Sequence, residues 1–120
     1  MKIENFCKNV SVVIRKSPFN SLIPSEALRM SVGLTLQDNK VNVIFLDDGV
    51  YLLTDLKPEI INSPEIDKHI ETLISFNMDL LVDKESVDKR GIKNIKYNVK
   101  VVSSNEILNT IRDSEVIISY

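Results

Sequence analysis

The sequence is poor in the residues that staple a chain, bind metals or mark phosphate loops. Its 120 residues include one cysteine, Cys7, one histidine, His69, and no tryptophan. A lone cysteine can form neither an internal disulfide nor a cysteine-based zinc site, and a single histidine cannot build a histidine metal site. The three glycines, Gly33, Gly49 and Gly91, are scattered, so there is no glycine-rich phosphate loop, and no cofactor is expected. No apolar run approaches the roughly 18 residues of a bilayer span. The opening MKIENFCKNV carries Glu4 and polar neighbours where a secretion signal needs an unbroken apolar stretch. These absences predict a cytoplasmic protein without a membrane partner. With 15 basic against 17 acidic side chains, the overall field gives no reason to expect direct nucleic-acid binding.

What is present is a mainly aliphatic 43% hydrophobic content in a chain of single-domain length, which can remove about two thirds of its unfolded surface from water. The expected organisation is one domain over 1–120, with 1–9 as an N-terminal extension in which Ile3, Phe6, Cys7 and Val10 suggest a helical turn. Val10, Val12, Val13 and Ile14 predict a buried first strand closed by Arg15, Lys16 and Ser17-Pro18. A helix follows from Ser25, with Pro24 in its first turn and Gln37-Asp38-Asn39 as its stop. Val41 to Leu46 is apolar at nearly every position, as in a strand covered on both faces. Asp47-Asp48-Gly49 breaks it, and Val50 to Leu53 reads as a single turn. A loop bracketed by Leu56 and Pro64, a helix over 65–76 and a strand from Asp79 to Val82 come next. Asp83 to Asn94 is polar, with room for a turn of helix. A strand from Val99 to Val102, a helix from Asn105 to Arg112 capped by Ser103 or Ser104, and a last strand from Val116 to Ile118 complete the chain. Alternating strands and helices predict an α/β three-layer sandwich around a five-stranded, mainly parallel sheet.

In open α/β sheets, ligands sit outside the carboxyl ends of the strands, and that edge collects Arg15, Lys16, Asp47, Asp48, Asp83 and Ser103. Three aspartates there could hold a magnesium ion. A phosphoacceptor receiver domain has similar length and topology, but it keeps its acid pair after the first strand, where this chain has Ile14-Arg15-Lys16. Strand ending and capping is the favoured reading of Asp47 and Asp48. Cys7 has no histidine nearby and is favoured as a small buried hydrophobe, with a nucleophile as the alternative. His69 is expected on a helix surface. Lys84 to Lys100 carries six basic side chains against two acids. A solvated face is favoured over a phosphate-binding patch, because no aromatic platform accompanies it.

Two stretches, FLDDGVYLL at 45–53 and LLVDKESVDKRGI at 80–92, together with the terminal DSEVIISY, resemble the DsrE/DsrF-like sulfur-relay family, and within it the TusC/DsrF branch. The similarity spans nearly all of residues 10–120. It implies an α/β sandwich that assembles as a homo-oligomer, trimer or hexamer, or as a hetero-oligomer with DsrE/TusD-like and DsrH/TusB-like subunits. The implied work is persulfide transfer, in tRNA 2-thiouridine synthesis or in sulfur oxidation. Sulfur-carrying members keep a cysteine after the third strand, and some a second three residues on; here those positions are Asp83 and Ser86. Only a thiolate accepts sulfur at useful rates. The resemblance therefore implies a subunit that is not catalytic by itself, part of a sulfurtransferase system. Two alternatives remain open. One is an independent sulfurtransferase using Cys7. The other is a homo-oligomeric module binding a small anion in a strand-edge pocket drawn from Arg15, Lys16, Asp47, Asp48, Asp83, Ser86 and Arg90.

Overall fold

The computed structural model describes residues 8–19, 21–54 and 63–120. Cys7, the rest of the expected N-terminal turn ahead of Lys8, and 55–62 of the expected loop lie outside the described residues. Five strands, β1 (Asn9–Ile14), β2 (Lys40–Phe45), β3 (Asp79–Asp83), β4 (Lys100–Val102) and β5 (Val116–Ser119), alternate with four helices, α1 (Ile23–Leu36), α2 (Ser63–Ser75), α3 (Lys84–Lys89) and α4 (Ser104–Arg112). A 3-10 helix, Asp47–Leu53, follows β2 and is longer than the single turn expected there. The strand order is β4-β3-β2-β1-β5, and every neighbouring pair is parallel.

β1 and β2 are buried from their second residue onward because both faces of the central strands are covered. On one face Val12, Ile14, Val43 and Phe45 pack with Ala27 and Leu28 of α1, Ile66, Ile70 and Leu73 of α2 and Val87 of α3. On the other, Val13, Ile44, Leu81 and Val102 pack with Ile107 of α4. Among the described residues the sandwich is thus lopsided, with one nine-residue helix covering the second face.

Three helices stop by the same device. Asp38, Asn77 and Gly91 adopt φ of 66°, 61° and 63°, and the next N–H bonds back into the last turn: Asn39 to Leu34, Met78 to Leu73 and Ile92 to Val87. The Gln37-Asp38-Asn39 stop is found where the sequence puts it, and Asn39 adds a bond from Nδ2 to the Leu34 carbonyl at 3.0 Å. α4 starts on Ser103, whose Oγ accepts from the Glu106 N–H at 3.3 Å, the first half of an S-x-x-E capping pattern.

Chain order and faces together locate the switch point. The connections leaving β1, β2 and β3 join helices on the larger core, whereas the one leaving β4 joins α4 on the opposite face. The carboxyl ends of β3 and β4 therefore diverge, which is where open α/β sheets form crevices. Asp83 and Ser103-Ser104 stand there.

Candidate functional site at the strand carboxyl ends

The site is built on a close approach. A Cβ at Gly49 would lie 2.1 Å from the Ile14 carbonyl oxygen, so only glycine lets the 3-10 helix rest on the end of β1. The Leu46 N–H donates to that same Ile14 oxygen at 3.0 Å and Gly49 N–H to the Leu46 oxygen at 2.8 Å. The chain turns sharply enough between them to hold Asp47 at φ 50°, a left-handed conformation that aspartate tolerates better than most residues.

That turn gives Asp47 and Asp48 a different task from the expected one. Neither side chain caps the 3-10 helix. Asp47 Oδ2 accepts from Arg15 Nε at 3.0 Å, and Asp48 Oδ1 accepts from Arg90 Nε at 3.0 Å and lies 2.9 Å from Nη2. Each acid is drawn to a cation on a different element, so the pair does not converge. Among the described residues, no three His, Cys, Asp or Glu side chains come close enough to share a metal ion.

Asp83 and Ser86 form the buried centre. Asp83 is 7% exposed and Ser86 4%. As N-cap of α3, Asp83 accepts through Oδ2 from the Ser86 N–H at 3.2 Å and the Ser86 hydroxyl at 2.7 Å. Its Oδ1 accepts from Ser104 Oγ at 3.2 Å. The same Ser86 hydroxyl accepts the Asp47 N–H at 3.0 Å, and Arg90 Nη1 donates to the Ser86 carbonyl at 3.3 Å. One network thus ties the ends of β2 and β3 to the starts of α3 and α4.

Two recesses flank this network. Arg15, Lys16, Asp47 and Asp48 meet Ser119 and Tyr120 of the chain end around a volume of about 420 Å³. Asp83 faces a second space of about 250 Å³ under α4, with Leu46, Ile107, Leu108 and Ile111 as its apolar walls and Asp47 shared with the first recess. The structure therefore divides the seven pocket candidates: four share one recess, Asp83 lines the other, Ser86 is buried between them, and Arg90 braces Asp48 from outside. Sequence reasoning missed Ser104, Tyr120 and the apolar wall of α4. Ser104 had been weighed only as a cap, and nothing local signals that it bonds a side chain 21 residues away.

The remaining candidates sit elsewhere. His69 is more buried than expected, its side chain 15% exposed, on a helix that packs along α1; its Nε2 is 3.9 Å from Glu65 and has no hydrogen-bond partner among the described residues. In the basic segment, Lys84 pairs with Asp88 at 2.8 Å, Lys96 with Asp67 at 3.0 Å and Lys100 with Asp79 at 3.3 Å, in addition to Arg90 with Asp48. The Asp88 hydrogen bond holds the Lys84 ammonium above its usual pKa. Much of the segment's charge is spent on this chain's own acids, which leaves Lys89 and Lys93 exposed. No helix of the described residues is long and apolar enough to cross a membrane.

Comparison with known proteins agrees with this architecture. The chain is 26% identical over 118 residues to Protein TusC of Buchnera aphidicola subsp. Baizongia pistaciae (strain Bp), covering 94% of this chain and 99% of that one. Its fold matches the crystal structure of the ychN protein from E. coli with a TM-score of 0.83 at 18% identity, over 94% of this chain and 99% of that one. A conserved protein of unknown function from Bacteroides thetaiotaomicron, BT1422, matches with a TM-score of 0.68 at 12% identity, over 93% and 95%. The model of the DsrE/DsrF-like family matches residues 8–120, and the chain belongs to that family.

Proposed function

We propose that this chain is a non-catalytic DsrF/TusC-like subunit of a persulfide-relay complex, supplying interface and scaffold while a cysteine-bearing relative carries the sulfur. The complex would act in tRNA 2-thiouridine synthesis or in sulfur oxidation, with DsrE/TusD-like and DsrH/TusB-like subunits as partners. The observation that carries this reading is Asp83 and Ser86, which stand where the family resemblance implies the cysteines of sulfur-carrying members. Carboxylate and hydroxyl oxygens accept no sulfane sulfur. Their burial and mutual hydrogen bonds give them a structural task instead. Exposed apolar side chains on α4 and β5, Leu108, Val116 and Ile117, support an assembled state.

The test combines native mass with sulfur mapping. Mixed with DsrE/TusD-like and DsrH/TusB-like subunits, the chain is expected in a larger complex. After exposure of that complex to a persulfide donor, mass spectrometry should find the added sulfur on the partner and none on this chain. Persulfide on Cys7, or a stable homo-oligomer that ignores the cysteine-bearing relatives, overturns the reading. Small-anion binding beside Arg15 and Lys16 has less support, since Asp47 already occupies Arg15.

A further inference from the structure

The space under α4 combines apolar walls with a buried carboxylate. Its walls, Leu46, Ile107, Leu108 and Ile111, are apolar, and among the described residues its charged lining groups are two carboxylates, Asp47 and Asp83. Asp47 has Arg15 on its far side, in the neighbouring recess. Asp83 has no ion-pair partner among the described residues, and all three of its hydrogen-bond donors are neutral: the Ser86 N–H, the Ser86 hydroxyl and the Ser104 hydroxyl. Those bonds satisfy lone pairs but bring no cation to a carboxylate that is only 7% exposed. A charge shielded from water gains more from a counter-ion than a surface charge does.

We propose that this groove receives an arginine or lysine side chain from a different polypeptide, its aliphatic stem against Leu46, Ile107 and Leu108 and its cationic end on Asp83. Long basic side chains are built for such a site, with an apolar stem and a charged tip. Arginine can bond a carboxylate through two parallel N–H groups. A volume of about 250 Å³ equals several waters at ~30 Å³ each, room for one such side chain. The occupant is a protein rather than a free amine because apolar side chains on the α4 face, one at the groove wall and one on β5, stand in water. Leu108 is 55% exposed and Ile117 51%. Ile117 lies on the α4 face, since it pairs in register with Ser11, two residues from Val13, which packs under α4. A small amine would leave that surface wet, whereas a protein surface would cover it. The identity of the partner as another subunit rests on the proposed function; the chemistry of the groove does not.

The probe is an acetylated, amidated peptide with arginine between two leucines, followed through the backbone amide NMR shifts of the full chain. Shifts are expected at Leu46, Asp47 and Ser104 to Leu108. Binding should weaken at least ~10-fold for the isosteric peptide carrying citrulline and for Asp83→Asn, which keeps a good N-cap and hence the fold. Leu108→Ser should weaken it through the wall alone. No localised shifts, or equal binding by the citrulline peptide or by Asp83→Asn, overturns the proposal. Equal binding by n-butylguanidinium makes the ligand a free amine, and self-association abolished by Asp83→Asn makes it a second copy; either overturns the assignment of a partner chain. Peptide binding without assembly would sink the subunit reading alone, and assembly without peptide binding would sink the groove alone.

Discussion

Gly49 carries its role through an atom it lacks. Alanine there would press a methyl group onto the Ile14 carbonyl oxygen, forcing the end of β1 away from the 3-10 helix and disturbing the turn that aims Asp47. Gly49→Ala is expected to destabilise by about 3 kcal/mol, the upper range for overpacking, read from the urea midpoint. An unchanged midpoint would mean that the β1 end yields freely. Gly33, exposed in α1 with nothing near its missing Cβ, is the opposite case: Gly33→Ala should stabilise by about 0.5–1 kcal/mol through helix propensity. Asp-Gly is legible in the sequence as a strand end, but the reason for glycine is a carbonyl 35 residues upstream. Ser86 teaches the same lesson. Its place three residues after Asp83 fits an N-cap, yet its bond to the Asp47 N–H joins positions 39 apart. Ser86→Ala should cost about 1–3 kcal/mol, because a buried carboxylate oxygen and the part-buried Asp47 N–H each lose a partner. A loss under half a unit of that scale would show that water replaces the hydroxyl.

Legibility at the scale of elements follows burial. β1 and β2 were readable because central parallel strands need apolar, β-branched side chains on both faces. α1 and α2 were readable from their periodic faces, and they begin two residues earlier than expected, at Ile23 and Ser63. α3 was not distinguishable from a turn: six residues give too few repeats of a helical period, and only Ser86 and Val87 are buried. α3 is held from outside, by Arg90 on Asp48 of the 3-10 helix. With Arg90 22% and Asp48 54% exposed, a double-mutant cycle of Arg90→Ala and Asp48→Ala should give a coupling of about 0.5–1 kcal/mol that shrinks in high salt. Zero coupling at low salt would leave α3 resting on Val87, the Asp83 cap and the Ser86 bond to the Asp47 N–H.

The order β4-β3-β2-β1-β5 belongs to the whole molecule, and no local pattern encodes it. Reversing direction after β4 sends α4 alone to the second face and makes β5 an edge, so the molecule is thickly covered on one side and thinly on the other. The thin side carries Leu108 of α4 and Ile117 of β5, both half exposed, beside a groove in which Leu108 is one wall. The proposed interface and the groove share the α4 face, which allows stability and assembly to be separated. Ile117 is half exposed on an edge strand, so Ile117→Lys should change folding stability by no more than about 0.5 kcal/mol. A lysine there also blunts an edge against strand pairing. In native mass measurements with the cysteine-bearing subunits, this variant is expected to remain unassembled while keeping the unfolding midpoint of the parent. A variant that assembles as well as the parent would move the interface to the α1 and α2 side, and with it the reason for so thin a cover over the second face.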